Sequence, residues 1–328
     1  MLATCRRVRA TYLGGRDAWS LLKAIGRWNS SMSTVHLANG HAVQFFQSQP
    51  DMPSSAPTLV LFHGLASSHH CFKHMWPHLV DKYPIVAFDL PGTAGSDVEA
   101  AGSTYTADAV HQALAEAVKI VLDNTATQSV VFVGHSLGGH SALRLTHDFL
   151  KEGRQVQGLA LLASAALEPY LLMRGLDLIP VALIKKYPNV VMQIFHLLGF
   201  ADTHPPQEYT YGALRAVTTL YAVLRDEAKA IATANVPTLC VSAEDDPFLT
   251  NGVWSDLCDT LHAKVVRYPN GKHNLPKSKA TDVARDLNLW IDDTQCSDRP
   301  RDAVLSVRVG CRHGVLADTP SPRLSVVG

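Results

Sequence analysis

The 328-residue chain has no surplus of either charge, since 29 Lys and Arg side chains face 29 Asp and Glu. Binding to phosphate backbones rests on clustered basic charge, so nucleic acid is not an expected partner. Long hydrophobic runs are missing too, and none approaches the roughly 18 residues that a membrane-spanning helix needs. The longest candidates, LIPVALIKKYP and VVMQIFHLLGF, are broken by Pro180, Lys185, Lys186, Pro188, Gln193 and His196. No transmembrane segment is expected. Cysteine is sparse: the six, at 5, 71, 240, 258, 296 and 311, form no CxxC pair and no regular framework. They read as free thiols in a reducing, intracellular compartment, with Cys240 a small hydrophobe inside an apolar run.

What the chain does have is a hydrophobic fraction of 47% beside 18% charged residues, the balance of a globular protein with a substantial core. The two ends differ from the middle. Residues 1–31 hold Arg6, Arg7, Arg9, Arg16, Lys23 and Arg27 against the single acid Asp17, with Leu21, Ile25 and Trp28 at helical spacing. That is the description of a mitochondrial transit peptide. The other reading is an extension outside the core, with Met32 opening the folded unit in the cytoplasm. Residues 293–328 lose all periodicity and scatter Pro, Ser and Arg, as a disordered tail does.

Between the ends, strand and helix signals alternate. STVHLA and HAVQFFQ flank the turn pair Asn39-Gly40 and read as an antiparallel hairpin. TLVLFHG reads as a buried parallel strand and IVAFDLPG, SVVFVGHS, VQGLALLAS, VPTLCVSAEDD and AKVVRYPNG as further strands, and helical segments separate most of them. CFKHMWPHLV is one such helix, and TADAVHQALAEAVKIVLDN, with Thr106 as N-cap, is a longer one. This alternation predicts an α/β fold: a mostly parallel central sheet with helices on both faces. About 70 residues after Ser164 carry no strand signal, and YTYGALRAVTTLYAVLRDEAKAIA within them reads as helix. The expected organisation is a core of residues 32–165 and 235–292, with an inserted helical cap at 166–234.

VVFVGHSLGGHSALRL, residues 130–145, places Ser136 between glycines where a run of β-branched residues stops. Gly134-His135-Ser136-Leu137-Gly138 is a G-x-S-x-G string in a strand–turn–helix context, which suits a hydroxyl exposed on a sharp turn. Serine is a poor nucleophile at neutral pH and needs a base, which in turn needs an orienting group. SAEDDPF and YPNGKHNLP leave the carboxyl ends of the next-to-last and last strands, where ligands bind in open parallel sheets. A carboxylate and then a histidine follow the serine in the order Ser, Asp, His.

With those residues in place, the sequence resembles the α/β-hydrolase superfamily over residues 34–292, in the manner of a capped, esterase- or lipase-like serine hydrolase. LVLFHGL is similar to the family's strand with a following His-Gly. AFDLPGTAGSD resembles its D-x-P-G-x-G-x-S turn, and LCVSAEDDPF its acid loop, with Ala243 where Gly is usual. The resemblance implies Ser136 as nucleophile, His273 as base and Asp246 as acid. It also implies the backbone N–H groups of Leu65 and Leu137 as the oxyanion hole. Asp245 is the alternative acid and Glu168 a more distant one. His63, Gly64 and His135 are expected to shape the site.

No cofactor and no metal are implied. His70, His74 and His78 stand four apart, which is ligand spacing on a helix, but Pro77 interrupts them and no carboxylate completes a set. Tyr170, Met173, Phe195, Tyr209, Tyr211 and Tyr221 are candidates to line an acyl pocket. The reading is a hydrolase of a small apolar ester or thioester. Its rivals are a C–C bond hydrolase of vinylogous diketones with the same triad and a ligand-binding protein without turnover. Nothing in the sequence sets the oligomeric state.

Overall fold

The computed structural model describes residues 30–48, 56–125, 129–169, 175–200 and 204–297. Of the leader expected at residues 1–31 and the tail expected at 293–328, residues 1–29 and 298–328 lie outside them, as do Tyr170 and Met173. Eight strands form one sheet: β1 (Ser30–His36), β2 (Ala42–Ser48), β3 (Thr58–Phe62), β4 (Ile85–Phe88), β5 (Val130–His135), β6 (Val156–Leu162), β7 (Thr238–Ala243) and β8 (Lys264–Tyr268). Their spatial order is β1-β2-β4-β3-β5-β6-β7-β8. The β1–β2 hairpin pairs antiparallel, β2 joins β4 antiparallel, and every pairing from β4 to β8 is parallel. Every residue of β3, β4, β5 and β7 is buried, as strands covered on both faces must be.

The helices follow from their apolar spacing. In α2 (Ala107–Asp123), Val110, Leu114, Ala117, Val118 and Val121 are buried, and the Thr106 hydroxyl accepts from the Ala109 amide to cap the first turn. α3 (Gly138–Lys151) starts within two residues of Ser136 and buries Ala142, Leu143, Leu145 and Phe149 against the sheet. Asn39-Gly40 makes the predicted hairpin turn, with Gly40 at φ 83°.

Four local expectations are corrected. The predicted helix CFKHMWPHLV is a 3-10 turn at His69–Phe72 followed by the short α1 (Trp76–Leu79). Pro77, which has no N–H to donate, sits at the start of α1 and separates the two pieces. The predicted single helix over 209–232 is two, α6 (Pro206–Val217) and α7 (Tyr221–Thr233). Thr218 and Thr219 donate their hydroxyls to the carbonyls of Leu214 and Arg215, adding partners for carbonyls of the last turn of α6. At the two boundaries, β1 begins at Ser30 rather than Met32, and the final helix α10 (Ala280–Ser297) runs past residue 292.

Between β6 and β7 the described residues form α4 (Val181–Lys186), α5 (Pro188–Leu197), α6 and α7. After β7 come α8 (Asn251–Thr260) and, beyond β8, the one-turn α9 (Leu275–Ser278) ahead of α10. α6 reaches the loop after β3: a Cβ on Gly212 would stand 2.3 Å from Leu65 Cγ. Among the described residues no helix is long and apolar enough to cross a membrane. Cys71, Cys240 and Cys258 are free thiols.

Candidate active site

The chain runs from β3 to β4 in one direction across the sheet and from β5 to β8 in the other. Ligand crevices in open parallel sheets form at such a reversal, outside the carboxyl ends of the strands. Gly64, two residues past β3, and Ser136, one residue past β5, stand on either side of it. A Cβ on Gly64 would lie 2.9 Å from Ser136 Cβ and 3.3 Å from its Oγ, so this loop passes against the serine as closely as a glycine permits.

The elbow itself shows why glycines flank the serine. A Cβ on Gly138 would meet the Phe62 carbonyl oxygen at 2.2 Å, and one on Gly134 would meet Gly139 Cα at 2.4 Å. Any larger residue would force β5 and α3 apart. Ser136 adopts φ 53°, a left-handed conformation that costs a side-chain-bearing residue on the order of 1–2 kcal/mol. Its backbone is held by three bonds: its N–H donates to Leu162 O, and its carbonyl accepts from the Gly139 and Ala165 amides. At about 1 kcal/mol net each, these suffice to hold the turn.

Ser136, His273 and Asp246 form one hydrogen-bonded line. Ser136 Oγ lies 2.7 Å from His273 Nε2, and His273 Nδ1 lies 2.9 Å from Asp246 Oδ2. The Asp246 side chain is fully buried, and that of His273 is 14% exposed. Asp246 Oδ1 accepts from the Phe248 amide at 2.9 Å, so both carboxylate oxygens are committed and its plane is set. The two other acids stand elsewhere. Asp245 Oδ1 accepts from the Lys272 amide at 2.8 Å, and Glu168 pairs with Arg225 at 3.6 Å.

His63, Gly64 and His135 all sit at the site. His63 Nδ1–H donates to the Gly64 carbonyl at 2.8 Å, while its Nε2 accepts from the Leu90 amide at 3.1 Å. His135 Nε2–H donates to the His273 carbonyl at 3.1 Å, tying the histidine loop to the elbow. The amides of Leu65 and Leu137 make no backbone hydrogen bond among the described residues. His70, His74 and His78 do not gather, and the described residues contain no cluster of three or more ligating side chains. The buried histidine of that segment is His69, whose Nδ1 lies 2.8 Å from Asp89.

Two residues missed by the sequence reading belong here. Phe248 lies edge-on to the His273 ring at 4.9 Å, and Phe200 packs on Phe248 at 5.0 Å. Phe195, a predicted pocket residue, continues this row at 5.1 Å from Phe200, and Tyr209 follows at 6.0 Å from Phe195. Tyr211 instead packs on Tyr105, and Tyr221 on His140. Phe248 follows the acid by two residues, a sequence signal too short to interpret without the fold.

His63, His135 and His140 are buried as neutral rings. Burial is the main cause in each case, lowering the pKa from 6.5 to about 4, about 3 and about 4 respectively. Below pH 6.5 the unfolded chain takes up protons that the folded rings refuse. Their contribution is therefore complete above about pH 6.5 and is lost as pH falls toward the folded values. By pH 5 the penalty is on the order of 1–2 kcal/mol per ring. The urea midpoint is expected to drop clearly between pH 7.5 and pH 5, and an equal midpoint at both would refute neutral burial.

A parallel sheet with a serine elbow at its topological reversal, joined to a histidine and a buried carboxylate, defines a hydrolase-type α/β protein. The chain belongs to the alpha/beta hydrolase family, whose sequence pattern matches residues 59–286. It is 40% identical over 86 residues to the uncharacterized hydrolase YugF of Bacillus subtilis (strain 168), covering 26% of this chain and 30% of YugF. The chain thus spans about a third of the length of the curated relatives it matches. Among solved structures it is similar to a thermophilic esterase from Thermogutta terrifontis, with TM-score 0.61 and 16% identity over 80% of this chain and 99% of that one. It is also similar to the haloalkane dehalogenase DbeA from Bradyrhizobium elkani USDA94, with TM-score 0.62 and 16% identity over 82% of this chain and 100% of that one. At these identities the likeness is one of fold.

Proposed function

We propose that this protein is a serine hydrolase that cleaves an apolar carboxylic ester or thioester through an acyl-enzyme on Ser136. The observation that carries the reading is the unbroken line from Ser136 Oγ through His273 to the buried Asp246 carboxylate. His273 Nε2 takes the hydroxyl proton as Oγ attacks the carbonyl carbon, and Asp246 stabilises the imidazolium that forms. The negative charge on the substrate oxygen falls to the free amides of Leu65 and Leu137, donors whose positions need no rearrangement. His273 then returns the proton to the departing alcohol or thiol. A water molecule repeats the sequence on the acyl-enzyme and releases the carboxylic acid. No cofactor enters any step.

The row Phe248, Phe200, Phe195 begins at His273 and runs toward the helices between β6 and β7. In this reading those helices act as a cap and the aromatic row is its apolar wall, which favours an apolar acyl chain over a polar one. Hydrolysis of p-nitrophenyl esters of two to twelve acyl carbons tests it. Turnover with an optimum above acetate is expected, together with stoichiometric labelling of Ser136 by a fluorophosphonate. Absence of both turnover and labelling would remove the proposal.

A further inference from the structure

Arg215 sits on α6 and is 6% exposed, yet among the described residues no carboxylate lies within the 4.0 Å of an ion pair. Its Nη2 donates to Ser141 Oγ at 3.0 Å and to the Leu137 carbonyl at 3.3 Å. The Nε and Nη1 hydrogens have no protein acceptor among the described residues. An isolated buried charge is costly to keep, and proteins normally pair it. Burial lowers the Arg215 pKa only to about 10, so the group stays cationic at neutral pH.

Arg215 lines a cavity of about 250 Å³ between α2, α3 and the α6–α7 turn, whose lining includes Leu137 but neither Ser136 nor His273. The other cation in its wall, Arg144, is already matched, at 2.9 Å from Asp108 and 3.4 Å from Glu227. One unmatched positive charge therefore remains. The rest of the wall joins the polar side chains of Asp108, His111, His140, Ser141, Thr218 and Thr219 to an apolar strip of Val110, Leu137, Leu220, Val223 and Leu224. Val110 and Leu224 are buried at 1% and 2% exposure, whereas Leu220 and Val223 are 66% and 44% exposed and form the rim.

We infer that this cavity is a binding site for a small apolar carboxylate, distinct from the catalytic cleft. The carboxylate completes the guanidinium's open donors at the buried end, and the tail lies along Val110 and Leu224 toward the rim. A single unmatched cation calls for a monoanion, and the apolar strip calls for a hydrocarbon tail. A doubly charged phosphate would leave one charge buried without a partner.

Isothermal titration of Ser136→Ala protein with hexanoate, and with hexan-1-ol as the uncharged control, tests the site without relying on any turnover. Hexanoate is expected to bind at least about tenfold more tightly than the alcohol, the difference that a charge-assisted hydrogen bond supplies. Arg215→Lys should weaken hexanoate several-fold and Arg215→Gln should abolish it. Because Arg215 is buried and its variants could misfold, Val223→Trp provides a second test: it plugs the exposed rim without touching the cation, and should also weaken hexanoate at least tenfold. Hexanoate affinity unchanged in Val223→Trp would place the anion elsewhere, the Ser136 cleft included, and overturn the inference. So would the absence of binding at millimolar hexanoate, or equal affinity for the alcohol.

Discussion

Ser136→Ala is expected to lower ester turnover by about 10⁴–10⁶-fold while the protein keeps its fold and its Michaelis constant within a few-fold. In the proposed mechanism the substitution removes the atom that carries the acyl group, and with it the 2.7 Å bond to His273 Nε2. The free Leu65 and Leu137 amides and the bound geometry remain, which is why a residue of catalysis above the solution rate should persist. Alanine tolerates φ 53° about as well as serine, and the three backbone bonds of the turn do not involve the hydroxyl. The unfolding free energy from urea denaturation should therefore change by no more than the about 1 kcal/mol that one hydrogen bond contributes. Steady-state kinetics with the best ester of the series, beside denaturation, read both quantities. Activity within tenfold of wild type would sink the nucleophile assignment.

Asp246→Asn should cost about 10⁴-fold in kcat, and Asp245→Asn less than about tenfold. The contrast rests on where each carboxylate is committed. Asp246 Oδ1 accepts from the Phe248 amide, so an asparagine there keeps its carbonyl oxygen toward Phe248 and turns its NH₂ toward His273 Nδ1. A donor at Nδ1 forces the imidazole proton onto Nε2, the very atom that has to accept the Ser136 proton. Asp245 accepts only from the Lys272 amide, and an asparagine carbonyl does that equally well. Measuring kcat for both variants on one ester decides between the acids, and a larger loss at Asp245 would reverse the assignment.

Much of this architecture was legible in the residues alone. Mostly apolar runs of four to seven residues marked the five inner parallel strands, because a strand covered on both faces has few polar alternate positions. Two helical segments were less legible. CFKHMWPHLV has a helical spacing of apolar residues, but Pro77 divides it, and a propensity reading gives too little weight to one missing donor. The α6–α7 break was invisible for the opposite reason: threonines 218 and 219 are tolerated inside helices, and the hydroxyl-to-carbonyl bonds they make at the end of α6 are of the kind that Thr210 makes within it.

The sequence by itself determined the strand–helix alternation, the glycines that let β5 and α3 meet at Ser136, and the chain order of serine, acid and histidine. The first two are local properties, set by spacing within a few residues, and the third is read directly from the order along the chain. The tertiary structure alone decided which of two adjacent aspartates faces His273, and that Ser136 and His273, 137 residues apart, come within hydrogen-bonding distance. It alone brought Phe248 against the histidine and left Arg215 buried with no carboxylate partner among the described residues. Those contacts depend on strand register and on how the helices after β6 settle on the sheet. Such long-range geometry follows from the packing of the whole core, and no window of sequence contains it.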